Sequence, residues 1–264
     1  DFNMEPFFRG VDYNRSIQKI VFCFIDLSGG EFFEWLHPFF ENNHNLSEVR
    51  VASFEFGAGC ARRLSSVLRG CSKSLTSVEF ANNQIGGEEL GEIFTAMMHP
   101  QLIGLELTNM NLGKIECTAL ATLLHVPFAE LHTLDLSRSA IDDEGLDALV
   151  AGAPPPPNSR LSVLHLSQNR FTATGCQSLA TLLKNTNSNL EKLYLDGNII
   201  GDEGALIFAN ALASNRKLKE LELWLTGITA EGWSSFAKVL CDASSINNTF
   251  LSNHTVFSLS QYSA

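Results

Sequence analysis

The chain has 264 residues, with 18 Lys and Arg against 29 Asp and Glu, and therefore a formal net charge of −11. Its 45% hydrophobic and 18% charged residues are typical of a folded protein rather than a disordered one. The acidic balance argues against nucleic acid or an anionic membrane surface as the main partner, because both are bound by clustered Lys and Arg. Composition names no function.

The two ends carry no recognisable targeting pattern. Arg9 and Asp12 follow Phe7 and Phe8 too closely for a signal peptide. No stretch approaches the roughly 18 consecutive apolar residues that a membrane span requires. The chain begins without Met, and we expect it to be a piece of a longer protein.

An internal repeat dominates the sequence. Three successive stretches, which begin at Leu161, Leu190 and Leu218, follow the pattern L-x-x-L-x-L-x-x-N-x-I-x-x-x-G-x-x-x-L and depart from it at one or two positions. The first apolar position of this unit recurs at intervals of 27 to 30 residues. The predicted unit starts are Ile17, Leu46, Leu75, Leu102, Leu131, Leu161, Leu190, Leu218 and Ile246. The first and last units are degenerate, as expected near the ends of an array.

Each unit predicts a strand followed by a helix. The x-L-x-L half alternates with period two, and the second half places apolar residues three and four apart, as in Leu120, Leu123 and Leu124. Neither half can bury its apolar face alone, so neighbouring units must stack. We therefore predict an α/β fold, a right-handed solenoid (horseshoe) with parallel strands on the concave face and helices on the convex face. Residues 1–264 would form one domain of about nine units.

This pattern resembles the ribonuclease-inhibitor-like leucine-rich repeats, whose units of about 28 to 29 residues contain a true α-helix. The resemblance implies a non-enzymatic scaffold that binds a protein partner on its concave face or rims, without a cofactor. It leaves open a GTPase-activating or enzyme-inhibiting module, and the sensor part of a larger NOD-like receptor. Arg138 and Asn109 are unspecific candidates for GTPase activation. The expected location is cytoplasmic or nuclear, and the oligomeric state stays open.

Three asparagines, Asn83, Asn169 and Asn198, match the turn Asn of this family. The resemblance implies that their amides bond to the backbone of adjacent turns. Other residues occupy this position in the remaining units, namely Phe54, Met110, Ser139, Thr226 and His254. We expect local irregularity at these turns, especially in the Phe-rich N-terminal third.

Strand alternation places every second residue on the concave face. The central positions are Val21, Arg50, Glu79, Glu106, Asp135, His165, Tyr194, Glu222 and Phe250. The charged and aromatic residues that flank them are Lys19, Glu48, Lys192, Asp196, Glu220 and Trp224. Seven acids therefore face three bases.

Like charges at successive strands would lie roughly 5 Å apart and cost stability, as at Glu79, Glu106 and Asp135. Tyr194 and Trp224 are of the residue types that anchor interfaces. We hypothesise that the face binds a basic protein or peptide. The predicted partner-binding residues are Arg50, Glu79, Glu106, Asp135, His165, Tyr194, Asp196, Glu222 and Trp224. The alternative is a solvated acidic face with incidental aromatics.

The remaining motifs favour structural roles. The acidic runs at 141–145 and 201–204 are interpreted as helix N-caps, because no metal-ligand spacing accompanies them. The prolines 154–157 are interpreted as a stiff insert rather than a peptide ligand. Gly29-Gly30 and Gly86-Gly87 are interpreted as turns rather than phosphate loops. No catalytic or metal-binding constellation is present in the sequence, and we expect no enzyme.

The six cysteines favour free thiols in a reducing compartment over disulfides. None forms a C-x-x-C pair, and Cys117 and Cys176 occupy equivalent positions of two units, as small buried groups do. Four N-x-S/T sequons occur at about the frequency that chance gives, so they do not argue for secretion. They begin at Asn14, Asn45, Asn247 and Asn253.

Overall fold

The computed structural model describes residues 5–11, 14, 16–23, 31–52, 59–70, 74–97, 101–124, 130–151 and 160–260. The strands are β1 (Lys19–Cys23), β2 (Glu48–Ala52), β3 (Ser77–Ala81), β4 (Gly104–Thr108), β5 (Thr133–Asp135), β6 (Val163–His165), β7 (Lys192–Tyr194), β8 (Glu220–Glu222) and β9 (Ser258–Ser260). The helices are α1 (Glu5–Val11), α2 (Glu31–Asn42), α3 (Cys60–Gly70), α4 (Gly87–Met97), α5 (Lys114–Leu124), α6 (Asp143–Ala151), α7 (Ala173–Lys184), α8 (Gly201–Leu212), α9 (Ala230–Leu240) and α10 (Ile246–Leu251).

The nine strands form one parallel sheet in chain order, from β1 to β9. Strands β1 to β8 each begin two residues after a predicted unit start, and their middle residues pair in register with the next strand. Helices α2 to α9 pack each on the next in sequence. The α/β leucine-rich-repeat solenoid predicted from the repeat is confirmed.

The core lies between the sheet and the helices. In the three-residue strands the middle residue is buried and its neighbours are partly exposed, as at Leu164, Leu193 and Leu221. Large aromatic side chains fill the space beneath them, with Phe171, Phe208 and Phe236 almost fully buried. The strand leucines and the helix face thus bury each other, as the two periodicities require.

The ninth unit does not begin at Ile246, and this prediction is wrong. Ile246 opens helix α10, which contains Phe250, and β9 begins only at Ser258. The hydroxyl of Ser245 caps the helix by accepting the Asn248 N–H at 3.1 Å, so the segment satisfies its own backbone as a helix. Ser260, and not Phe250, pairs with Glu222.

A buried asparagine marks the true start of this unit. The Asn253 side chain donates to the carbonyls of Leu212 at 2.7 Å and Asn215 at 3.0 Å. Asn215 holds the same place three residues before Leu218, and its amide donates to the Leu183 carbonyl at 2.7 Å. The unit therefore starts near residue 256, and His254 does not occupy a turn-Asn position. Since Asn253 is only 3% exposed, its side chain is not accessible for glycosylation in the folded chain.

The acidic run at 141–145 caps its own helix, whereas Asp143 and Asp202 bond to the helix start of the next unit and no side chain caps α8. Asp142 accepts the N–H of Gly145 in its own unit at 2.8 Å. Asp143 accepts the N–H of Thr172 at 2.7 Å and of Gly175 at 2.8 Å, both at the start of α7. A Cβ at Gly175 would lie 2.6 Å from this carboxylate, which explains the glycine.

Cys23, Cys117, Cys176 and Cys241 have free thiols. Cys117 and Cys176 are buried, and burial raises the pKa of each thiol to about 12.

The Gly86 N–H donates to the Glu89 carboxylate at 3.1 Å just before α4, so Gly86 belongs to a helix start. Gly29-Gly30, Phe54, Cys71 and the prolines 154–157 lie outside the described residues.

Candidate functional site

The central column consists of one residue from each of the strands β1 to β8, the one four positions after the unit start. These residues lie on the side of the sheet away from the helices. Each pairs directly with the next across the parallel ladder. Its members are Val21, Arg50, Glu79, Glu106, Asp135, His165, Tyr194 and Glu222. The register thus brings the residues predicted from alternation into one row, with Ser260 at the end in place of Phe250.

All three bases of this face are paired with an acid on the adjacent strand. Lys19 Nζ lies 2.8 Å from Glu48 Oε2. Arg50 Nε lies 3.1 Å from Glu79 Oε1, close enough for an ion pair although not aligned as a hydrogen bond. Lys192 Nζ lies 2.9 Å from Glu220 Oε1. These pairs neutralise three of the seven acids.

The four remaining acids are Glu106, Asp135, Asp196 and Glu222, and they give the face its negative surplus. Burial raises the pKa of Glu106, and the neighbouring carboxylates of Glu79 and Asp135 raise it further. Burial also raises the pKa of Glu222, with Asp196 as the next contribution. Both carboxylates are therefore held in positions where negative charge is costly.

Two aromatic rings stack face to face beside these acids. The rings of His165 and Tyr194 stack with centroids 4.3 Å apart and planes 8° apart. The Tyr194 hydroxyl donates to Glu220 Oε2 at 3.1 Å and fixes its ring. Burial lowers the pKa of His165, so its ring is mostly neutral at neutral pH.

Asp196 has a structural role that the sequence did not reveal. Its Oδ1 accepts the backbone N–H of Trp224 at 2.8 Å, and its Oδ2 accepts the Ser167 hydroxyl at 3.2 Å. The carboxylate therefore ties three consecutive units together at the ends of their strands. It positions Trp224 as well as contributing charge.

The three turn asparagines are buried and donate to carbonyls of adjacent units. Asn169 donates to Leu136 and Leu166, each at 2.9 Å. Asn198 donates to Leu166 at 2.9 Å and to Leu195 at 2.7 Å. Asn83 donates to the Val51 carbonyl at 2.9 Å.

Hydroxyl groups replace the amide where the turn Asn is missing. Ser139 Oγ donates to the Leu107 carbonyl at 2.6 Å and accepts the Met110 N–H at 3.2 Å. Thr226 Oγ1 donates to the Leu223 carbonyl at 2.8 Å. These two turns still depart locally from the others, because the next residue is left-handed in both, Ala140 (φ 56°) and Gly227 (φ 76°), whereas no left-handed residue directly follows Asn83, Asn169 or Asn198.

A rim position directly before the turn-Asn position has left-handed backbone in six consecutive units. Its residues are Asn82 (φ 56°), Asn109 (φ 53°), Arg138 (φ 59°), Gln168 (φ 57°), Gly197 (φ 70°) and Leu225 (φ 53°). Asn109 donates to Asn82, and Arg138 Nε donates to Gln168 Oε1 at 2.8 Å. The two residues considered for GTPase activation are thus engaged with their rim neighbours. The Asn and Gly at this position are the signal that the sequence analysis missed.

Across the described ranges, no three His, Cys, Asp or Glu side chains converge in the way that a metal site needs. None of the helices in the described part of the chain has the length and hydrophobicity to cross a bilayer.

Comparisons with known proteins indicate leucine-rich repeats. A family model described as Leucine Rich repeat matches residues 131–150, 158–180 and 186–209. NACHT, LRR and PYD domains-containing protein 3 of Homo sapiens is 32% identical over 170 residues, which cover 64% of this chain and 16% of that protein. Ribonuclease inhibitor of Sus scrofa is 32% identical over 171 residues, which cover 64% of this chain and 36% of the inhibitor.

Among solved structures, an internalin from Listeria monocytogenes is similar with a TM-score of 0.45 at 14% identity, covering 87% of this chain and 58% of the internalin. The chain spans only 16% and 36% of the two curated relatives above. The matches to the repeat model and to ribonuclease inhibitor confirm the predicted resemblance.

Proposed function

We propose that this chain, which is built of ribonuclease-inhibitor-like leucine-rich repeats, is a non-enzymatic recognition scaffold that binds a basic protein segment along its central column. The observation that carries the proposal is the surplus of four acids next to a stacked pair of aromatic rings, on a face whose three bases are all paired.

Charge supports a basic partner. Glu106 and Glu222 both have a raised pKa, first because of burial and then because of neighbouring carboxylates. A Lys or Arg from a partner would relieve this repulsion and gain a charge-assisted hydrogen bond. Complementary charge across an interface mainly raises the association rate and the specificity.

The aromatic residues support contact as well as attraction. The stacked rings of His165 and Tyr194 are half-buried, so the partner would meet them already in place. Tyr and Trp are enriched among interface hot spots. Trp224 lies one unit further along and is positioned by Asp196.

The relatives support the same class of function. Ribonuclease inhibitor, by its name, acts on another protein, and by analogy this chain would bind a protein rather than transform a substrate. The GTPase-activating alternative has less support, since Arg138 is held by Gln168. The sensor portion of a larger receptor remains compatible with the proposal, because sensing is also recognition.

The test uses phage-displayed random peptides of about 12 residues, which span roughly 40 Å when extended and can cross eight strands about 4.8 Å apart. We expect selection on the wild-type chain to enrich Lys and Arg. The double variant Glu106→Lys/Glu222→Lys should bind the resynthesised peptides at least about ten-fold more weakly, because each new base repels the segment.

The matched control is Glu88→Lys/Glu203→Lys, which changes net charge equally but at exposed positions of α4 and α8. It should change affinity by less than about two-fold, since distant exposed charges are screened. Enrichment of peptides without basic residues, or equal weakening by both double variants, would contradict the proposal.

A further inference from the structure

The rim at the carboxyl ends of the strands changes character along the array. At the left-handed rim position it is polar from the third to the sixth unit, where Asn82, Asn109, Arg138 and Gln168 follow one another. In the seventh and eighth units two apolar side chains project from the rim. Ile199 is 69% exposed and Leu225 is 77% exposed.

These two residues lie on neighbouring backbones. The Gly197 N–H donates to the Trp224 carbonyl at 2.7 Å, and the Ile200 N–H donates to the Thr226 carbonyl at 3.1 Å. Residues 197–200 therefore run beside residues 224–226. We call Ile199, Trp224 and Leu225 the C-terminal rim patch.

Leu225 carries two costs that Asn82 and Asn109, at the equivalent position of their units, avoid. Its φ of 53° is left-handed, a conformation that Asn and Gly adopt readily and that bulky residues rarely adopt. Its side chain also stands in solvent. Asn82 and Asn109 show that an Asn fits the same position of the same turn. Backbone strain under an exposed apolar side chain is characteristic of binding sites.

The charge beside the patch indicates what it would accept. Asp196 receives the N–H of Trp224, so a carboxylate lies directly against the patch backbone. Glu222 is the last residue of β8, two residues before Trp224, and it interacts repulsively with Asp196. An apolar side chain placed on the patch would therefore have acids within reach of its neighbouring residue.

We propose that the C-terminal rim patch is the apolar anchor of the interface, taking an aliphatic or aromatic side chain that adjoins a Lys or Arg of the bound basic segment. This inference rests on the proposed function, since it assigns the end of that segment to one edge of the face. The aliphatic contact excludes water and the adjoining base meets Asp196 or Glu222, as in hot spots that combine burial with charge.

The decisive variant is Leu225→Asn, which installs the residue found at two equivalent rim positions. We expect the selected peptides to bind it at least about ten-fold more weakly, because the apolar contact is lost. Its melting temperature should be unchanged or higher than that of the wild type, since strain and exposure are both relieved. Loss of binding without loss of stability separates an anchor from a structural residue.

Two further variants serve as controls. Leu225→Met retains an apolar side chain and should retain binding within about three-fold. Leu206→Gln alters a half-exposed leucine on the convex helix α8 and should not affect binding. The selected peptides should share an apolar residue next to a base.

The outcomes distinguish the two proposals. If basic peptides bind Leu225→Asn as tightly as the wild type and bind Glu106→Lys/Glu222→Lys more weakly, this result would contradict the anchor and support the acidic face as the binding site. Peptides whose binding is weakened by Leu225→Asn but not by the double variant would contradict the proposed basic segment. They would also contradict the interface that the two proposals share. If Leu225→Asn has a lower melting temperature as well as weaker binding, Leu225 contributes to the stability of the fold and is not a specific anchor.

Discussion

The first four strands and the next four hold the same sheet together with different shares of backbone and side-chain bonding. Strands β1 to β4 contain five residues each, whereas β5 to β8 contain three. Asn83 bridges two units in the longer group, and in the shorter group the hydrogen bonds from one unit to the next are carried by the side chains of Asn169, Asn198, Asp143 and Asp202. A repeat can therefore be secured by a long backbone ladder or by a short ladder with polar side chains that bridge the turns.

The short strands are not weakly connected. Beyond β5 the Leu136 N–H still donates to the His165 carbonyl at 2.9 Å, and beyond β7 the Leu195 N–H donates to the Glu222 carbonyl at 3.0 Å. The chain bends at these points, and the turn asparagines take up the carbonyls that the bend leaves inside. The difference between the two regions is thus one of local geometry and the side chains that satisfy it.

Among the side chains that bridge neighbouring units, Asn169 should contribute most to stability, so Asn169→Ala should have the largest effect. Besides its two donated bonds, Asn169 Oδ1 accepts the N–H groups of Ser139 and Ile141, each at 3.0 Å. Four buried backbone groups would lose their partner, and we expect the free energy of unfolding to fall by about 4 kcal/mol. Urea denaturation followed by circular dichroism measures the loss.

Asn198→Ala should cost about half as much, because Asn198 provides two donated bonds. Asn111→Ala, at an exposed turn position, is the control and should be within about 0.5 kcal/mol of the wild type. Equal losses for Asn169 and Asn198 would mean that the accepted bonds contribute nothing.

The carboxylate of Asp202 links two units by capping the helix of the unit that follows. Hydrogen bonds from the Thr229 hydroxyl and N–H, and from the Gly232 N–H, hold the pKa of Asp202 below its ordinary value. A lowered pKa stabilises the fold above the unfolded pKa, and this stabilisation is lost as the pH falls through the folded pKa. Asp202→Asn should therefore be less stable than the wild type at pH 7, with a deficit that shrinks below about pH 4.

Urea denaturation of both proteins at neutral and acidic pH tests this. Glu203→Gln, at the adjacent exposed position of α8, should show no comparable pH-dependent deficit. A deficit of Asp202→Asn that persists unchanged at low pH would assign the cap to shape rather than charge.

The smallest expected effect lies in the long-strand region, at the like-charge column. The pKa of Glu106 is raised by burial, then by Glu79 and Asp135, so its ionised form destabilises the fold. Glu106→Gln should stabilise the chain by about 0.5 kcal/mol at pH 7, a modest gain because Glu106 is half-exposed and solvent screens the repulsion. The gain should vanish as the pH falls and wild-type Glu106 takes up a proton.

Thermal or urea unfolding at pH 7 and near pH 4 measures this difference. Glu88→Gln on the exposed face of α4 should change stability less, since it does not lie in the column. A destabilised Glu106→Gln would show that its carboxylate holds the sheet together.

The sequence predicted the sheet through the spacing of strand leucines, since a period of two followed by one of three to four admits few other folds. It failed at Ile246, because an apolar residue at the expected interval opens a short helix capped by Ser245. The asparagine three residues before the unit, at Asn43, Asn215 and Asn253, would have located the true start.

The site was predictable in outline only. Alternation alone placed Glu79, Glu106 and Tyr194 in one column, because it depends on strand geometry. The left-handed rim, the role of Asp196 and the pairing of all three bases depend on which neighbouring unit a side chain reaches. That information is carried by the stacked structure and not by any single repeat.

The caps contributed by Asp143 and Asp202 give the array a direction. Each of these carboxylates belongs to one unit and serves the first turn of the helix in the unit that follows. Since the ribosome delivers the chain from its N-terminus, the acceptor is present before the helix that requires it. Units assembled in this order find their helix starts already complemented, whereas α7 and α9 formed in isolation would lack these acceptors.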